Sequence, residues 1–194
     1  PRIARERLPA ALAGRFDVRL RTRWKNGMPQ RVDGQTSIAD LVLPLKGLST
    51  PLTLRELRGD LVWKTVDKGW QLDLANLMLG LRRPAWAADT LRVAYGPDEK
   101  ILEAGHVNLA DLTTLVDEVR DRHEFLQWWS ELKPSGTLNK FKLQLTGDWN
   151  APTEFALKAQ LDNVGVQSRQ RAPGVRGLSG FLTAGMTGGE FVAD

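Results

Sequence analysis

The sequence predicts a mainly β protein, about ten antiparallel strands with a helical insert near residues 108–133. Three observations carry this expectation. Apolar residues alternate with polar ones through most of the chain, Gly-containing turns separate the alternating runs, and a single stretch switches to a helical period. At 194 residues, 42% hydrophobic and 26% charged, the composition is that of a folded, soluble domain or of a piece of something longer.

Phe16 to Trp24 opens the pattern, with even positions apolar or Thr and odd positions charged. Two such sets of side chains stand on opposite faces of a strand. Lys25-Asn26-Gly27 is a turn, because Asn-Gly tolerates positive φ. A second strand runs from Pro29 towards Ile38 and on into Leu41-Val42-Leu43, and Pro44 to Pro51 is a loop. Leu57 to Trp63, a turn around Asp67-Lys68-Gly69, and Trp70 to Leu74 form a hairpin. Its apolar face is expected to hold Leu57, Leu61, Trp63, Trp70, Leu72 and Leu74. Leu77, Leu79 and Leu81 alternate again up to Pro84. Thr90 to Tyr95 is a further strand, and Ile101-Leu102 begins a short one.

The period then changes. Asn108 is suited to cap a helix, and Leu112, Leu115, Val116 and Val119 follow at helical spacing. Phe125, Trp128, Trp129 and Leu132 repeat that spacing out of phase, which predicts two helices or one kinked near 120–124. Lys133-Pro134-Ser135-Gly136 ends them. Each helix carries a narrow apolar stripe that needs an apolar surface beneath it, so Trp128 and Trp129 are expected to anchor the insert on the sheet. Alternation returns with Phe141, Leu143 and Leu145, then Phe155, Leu157, Ala159 and Leu161. Val164 and Val166 have the opposite phase, which calls for a bulge near Asp162-Asn163. The last segment, Leu178 to Leu182 and then Gly188-Gly189 to Ala193, repeats the pattern of the hairpin that starts at Leu57, as stacked hairpins of one sheet would.

The composition limits the chemistry. With no cysteine there are no disulfides, thiolate zinc sites or thiol nucleophiles. His106 and His123 lack convergent ligands, so no metal is expected. No nucleophile elbow or phosphate-binding loop occurs, and carboxylate pairs such as Asp117-Glu118 are solvated helix charges, so neither an enzyme nor a cofactor is expected. No run is long and apolar enough for a spanning helix. The net charge of +4 is concentrated at the front, in Arg2, Arg5, Arg7, Arg15, Arg19, Arg21, Arg23, Lys25 and Arg31. The alternation of Arg19, Arg21 and Arg23 marks them as the wet face of a strand. Without an RNA or DNA motif, nucleic acid is not an expected partner.

About ten one-faced strands, near 4.8 Å each, make a ribbon roughly 48 Å wide, more than two short helices shield. The sheet therefore closes on itself, folds into a packed sandwich, or leaves apolar surface for a ligand.

Certain stretches resemble YhdP-like proteins of the AsmA superfamily. They are Leu132-Lys133-Pro134-Ser135-Gly136-Thr137-Leu138 after a Trp-containing helix, Ala172-Pro173-Gly174-Val175-Arg176-Gly177-Leu178-Ser179-Gly180 before a Gly-Gly turn, and the hairpin from Leu57-Arg58-Gly59-Asp60-Leu61 to Trp70-Gln71-Leu72-Asp73-Leu74. The resemblance covers roughly residues 14–194. It implies an extended, strongly curved, groove-like antiparallel sheet of repeated hairpins. It also implies a periplasmic location in a Gram-negative bacterium, with the full-length protein anchored in the inner membrane, and movement of phospholipid towards the outer membrane. On this reading the chain is a single fragment of a longer protein. Residues 1–13 are a boundary segment, 14–106 a β-hairpin region, 107–133 the helical insert and 137–194 a second β region. The expected groove wall comprises Phe16, Val18, Leu20, Trp63, Leu72, Leu74, Leu91, Val93, Phe141, Leu143, Leu145, Phe155 and Leu157, each of which would serve equally as ordinary core beneath a helix. Phospholipid is the expected partner, with envelope proteins as others. Two other classes stay open: an assembly module that binds a protein at a sheet edge, and a glycan-binding domain using Trp24, Trp63, Trp70 or Trp149.

Overall fold

The computed structural model describes residues 13–43, 52–80, 86–119, 124–148, 151–168 and 173–194. Strands β1 (Ala13–Lys25), β2 (Met28–Leu43), β3 (Leu52–Val66), β4 (Gly69–Gly80), β5 (Trp86–Tyr95) and β6 (Glu99–Asn108) precede helices α1 (Leu109–Val119) and α2 (Glu124–Leu132). Strands β7 (Ser135–Asp148), β8 (Ala151–Val166), β9 (Val175–Gly185) and β10 (Gly188–Ala193) follow. All ten strands lie in one antiparallel sheet in chain order, not closed into a barrel. No second sheet forms among the described residues, so the packed sandwich that alternation alone allows is not adopted.

The local causes are those of the sequence. Lys25 pairs with Met28 around Asn26 and Gly27, whose φ values of 52° and 73° suit a primed turn that matches strand twist. Val66 pairs with Gly69 and Gly185 with Gly188 in the same tight manner, so the β3–β4 hairpin and the β9–β10 hairpin are alike. The second of these turns on Met186-Thr187, and Gly188-Gly189 already belongs to β10. Asn108 Oδ1 accepts hydrogen bonds from the amides of Ala110 and Asp111 at 3.0 and 3.1 Å, the expected cap of α1. The amide of Lys133, at φ 42°, donates to Trp129 O at 3.1 Å and closes α2.

Three strands are longer than their periodicity suggests. β3 begins at Leu52 rather than Leu57, β6 runs for ten residues, and Leu77 and Leu79 continue β4 instead of starting a new strand. A bulge is the reason in β4, and others interrupt β2, β7 and β8. Asp40, Asn76, Lys140 and Asn163 have φ between 49° and 55° inside strands, at or beside breaks in register. Each extra residue reverses the phase, so the apolar set changes from even to odd numbers, or back, while staying on one face. The bulge expected near Asp162-Asn163 lies where Leu161 pairs with Gly180 and Val164 with Leu178. The loop expected over Pro44 to Pro51, together with Leu81, Pro84, Trp149 and the residues at the expected kink, lies outside the described residues.

The buried core is small. It holds Leu41, Leu77, Ala104, Val107, Leu109, Val116, Ala159, Leu161 and Val164, and no large side chain among the described residues is fully buried. The chain exposes 13818 Å². A compact protein of its 21.6 kDa would expose about 9,200 Å².

Candidate functional site

Register decides which side chains share a face. One transverse row runs Leu20, Gly34, Leu61, Leu74, Leu91, Ala104, Phe141 through β1 to β7. The next runs Thr22, Val32, Trp63, Leu72, Val93, Leu102, Leu143, Leu157, Ala184 as far as β9. Leu145 pairs with Phe155, and Phe16 and Val18 continue the phase of Leu20. Every residue expected on the groove wall therefore lies on one apolar face. None belongs to the buried core. Phe16, Val18 and Leu20 are 50%, 43% and 57% exposed, and the others are half-buried.

The helical insert covers part of this face. Leu109 of α1 packs with Ala159, Leu161 and Val164, and Trp129 of α2 lies against the same cluster together with Leu138, Phe141, Leu178 and Leu182. The indole Nε1 of Trp129 donates to Thr113 Oγ1 at 3.1 Å, and that hydroxyl donates to Leu109 O at 2.9 Å, which ties the two helices together. Trp129 thus anchors the insert, whereas the side chain of Trp128 lies outside the described residues. Of the expected wall residues, Phe141 is packed against this covered cluster.

Towards the hairpin turns the face ends in a polar-tipped rim that the sequence reading missed. Trp70 and Tyr95 stack with ring centroids 5.9 Å apart. Lys100, opposite both Tyr95 and Leu145, is buried on this otherwise apolar face. Its ammonium lies 5.4 Å from the centre of the Tyr95 ring and donates to Pro97 O at 3.3 Å and to Gly147 O. Carbonyls and an aromatic face so replace the water that a buried cation gives up. A lysine in phase with Leu102 and Ala104 was the available signal.

The opposite face is charged. The row Arg21, Asp33, Val62, Asp73, Arg92, Glu103, Lys142, Lys158 crosses β1 to β8. Within it Arg92 contacts Asp73 at 2.6 Å and Glu103 at 3.2 Å, and Lys142 contacts Glu103 at 2.9 Å. Burial alone would raise the Asp73 carboxyl, but hydrogen bonds from Arg92 and Gln71 outweigh it and hold the group below the usual carboxylate range. A depression of about 550 Å³ on this face is walled by Asp60, Asp73, Arg92, Glu103, Lys140 and Lys142, and Val62, Leu74, Leu91, Ala104 and Phe141 also line it. Arg19, Arg21 and Arg23 stand on this wet side, as their alternation predicts.

His106 Nδ1 lies 3.0 Å from Asn139 Oδ1, while His123 is outside the described residues. Among the described residues no group of His, Cys, Asp or Glu gathers as metal ligands, and no helix is long and apolar enough to cross a membrane.

Fold and faces together define an open antiparallel β-sheet protein with one apolar and one charged face. A model of the YhdP protein family matches residues 4–194, and the chain belongs to that family. The family is of a transport or structural type rather than an enzymatic one. No curated protein and no solved structure matches the chain.

Proposed function

We propose that this chain is a segment of a periplasmic, bridge-like lipid-transport protein whose apolar sheet face carries phospholipid acyl chains between the inner and outer membranes. The observation that carries the reading is the continuous apolar face, many strands wide, lined by half-buried and exposed side chains and only partly covered by α1 and α2. Membership of the YhdP family supports it. An acyl chain spans half of a hydrocarbon core about 30 Å thick, so it crosses about three strands at a 4.8 Å spacing. Each CH₂ removed from water contributes about 0.8 kcal/mol, so a lipid slides along such a face without any energy-transducing group in it. Headgroups stay in water at the open sides.

Native mass spectrometry and lipid extraction of the chain purified without detergent test this. Co-purifying phospholipid is expected, and it should fall at least tenfold when Leu72, Leu143 and Phe155 are changed to Asp in a chain that keeps its β circular dichroism. A mass that stays lipid-free after incubation with phospholipid vesicles would contradict it. That outcome favours the second reading, an assembly module, which the outer edges of β1 and β10, unpaired among the described residues, support because free strand edges accept a partner strand.

A further inference from the structure

The β1–β2 hairpin tip carries a feature that acyl-chain transport along the apolar face does not use. Arg23 pairs directly with Arg31, and Arg31 with Lys64, so three cations face one another across three neighbouring strands. Like charges placed opposite are unfavourable in a sheet unless something neutralises them. Lys64 is attracted by Asp73, which Arg92 already holds, and Arg21 and Arg23 by Asp33, opposite Arg21, which is also taken. Arg31 grips it with contacts of 2.6, 2.8 and 2.9 Å, and that hydrogen-bonded pairing lowers the carboxyl pKa. Arg21, Arg23 and Lys64 form no salt bridge among the described residues. Lys25 adds a further cation at the turn, and Arg19, Arg21 and Arg23 wall an open depression of about 540 Å³ with Asp33 and Asp60. Elsewhere on the same face Arg92 contacts Asp73 and Glu103 and Lys142 contacts Glu103, although Lys158 stands opposite Lys142.

At the same tip Trp24 is 62% and Met28 67% exposed, the most exposed large apolar side chains among the described residues. Trp24 donates its indole N–H to Thr22 Oγ1 at 2.9 Å, which leaves the ring body outward. Trp24 shares the face of Thr22 and Leu20 while Arg21, Arg23 and Lys64 stand on the opposite face, so an exposed ring and cations flank the two sides of one tip, which matches the chemistry of an anionic bilayer interface that the tip enters edge-on. There rings lodge at the headgroup level and cations meet phosphate. A protein partner would be expected to use the free backbone edge of β1, which needs neither the cations nor the tip. A free phosphate would leave Trp24 and Met28 unused.

We propose that the β1–β2 tip docks the protein on the surface of an anionic phospholipid bilayer, through Arg21, Arg23 and Lys64 with Trp24 and Met28. This goes beyond the transport reading, since it needs no lipid on the apolar face. The test is co-sedimentation of the full 194-residue chain with vesicles of phosphatidylcholine alone and of phosphatidylcholine mixed with phosphatidylglycerol, at low and high salt. Binding is expected only to the mixed vesicles and should weaken with salt. Each cation removed should cost about fivefold, so R21Q/R23Q/K64Q should bind on the order of a hundredfold more weakly. R21K/R23K should stay close to the unsubstituted chain, and W24A/M28A should bind several-fold more weakly with the salt dependence retained. Equal binding to neutral vesicles, no binding, or unchanged binding by R21Q/R23Q/K64Q with native circular dichroism would overturn the proposal. Leu72→Asp should leave vesicle binding intact, so loss of lipid from the apolar face and loss of docking at the tip are separable.

Discussion

Arg92 shows how single residues stabilise a sheet that has little core. It bridges Asp73 and Glu103 across β4, β5 and β6, and Lys142 extends the chain of charges to β7. Its side chain is 50% exposed, so solvent screens the contacts and the whole arrangement is worth less than about 1 kcal/mol. The pH dependence has a definite sign. A carboxyl held below its unfolded value of about 3.9 stabilises the fold above that pH, and the contribution disappears as pH falls through the lower, folded-state value. Arg92→Ala should therefore be slightly less stable than the unsubstituted chain at pH 7, with the gap closing in acid once the pH has fallen through the lowered folded-state value. Denaturant titrations at pH 7 and in acid measure this, and a gap that stays constant would disprove the assignment. At this scale much was legible. Alternation places Arg19, Arg21 and Arg23 on the wet side and the expected wall residues together on the other. Lys100 was not legible, because its partners are the carbonyls of Pro97 and Gly147, the latter far away in sequence.

Elements are set by turns, caps and bulges. Asn26-Gly27 and Asn108 could be read directly, since each acts on amides or dihedral angles within a few residues. Bulges are harder to read. Asn76 reverses the phase of β4 between Leu74 and Leu77, which makes one strand look like two, and β6 shows little alternation around Gly105. Only at Asp162-Asn163 were the flanking apolar runs long enough to reveal the shift. Asn163 holds φ 50°, and its amide donates to Ser179 Oγ at 3.0 Å. Left-handed backbone suits Asn and Gly but not β-branched residues. Asn163→Val should lower stability by about 1–2 kcal/mol, and Asn163→Gly should change it by less than about 0.5 kcal/mol. Urea unfolding of the two variants decides the point: equal losses would mean that the side chain, rather than the backbone, matters there.

For the whole molecule, openness is what alternation leaves undetermined, because barrel, sandwich and open sheet share the same two-residue period. Closure depends on whether the first and last strands meet, and here β1 and β10 do not pair. An apolar face this wide, with its largest side chains only half-buried, is uncommon in a protein that functions alone in water, and it is what a lipid-carrying groove needs. The most direct test uses neighbouring residues on opposite faces. A photo-crosslinking amino acid at Leu72 or Leu143 should capture phospholipid in living cells, whereas the same group at Asp73 or Lys142, on the charged face, should capture little. Equal capture from both faces, or none from Leu72 and Leu143 in a folded chain, would contradict the account.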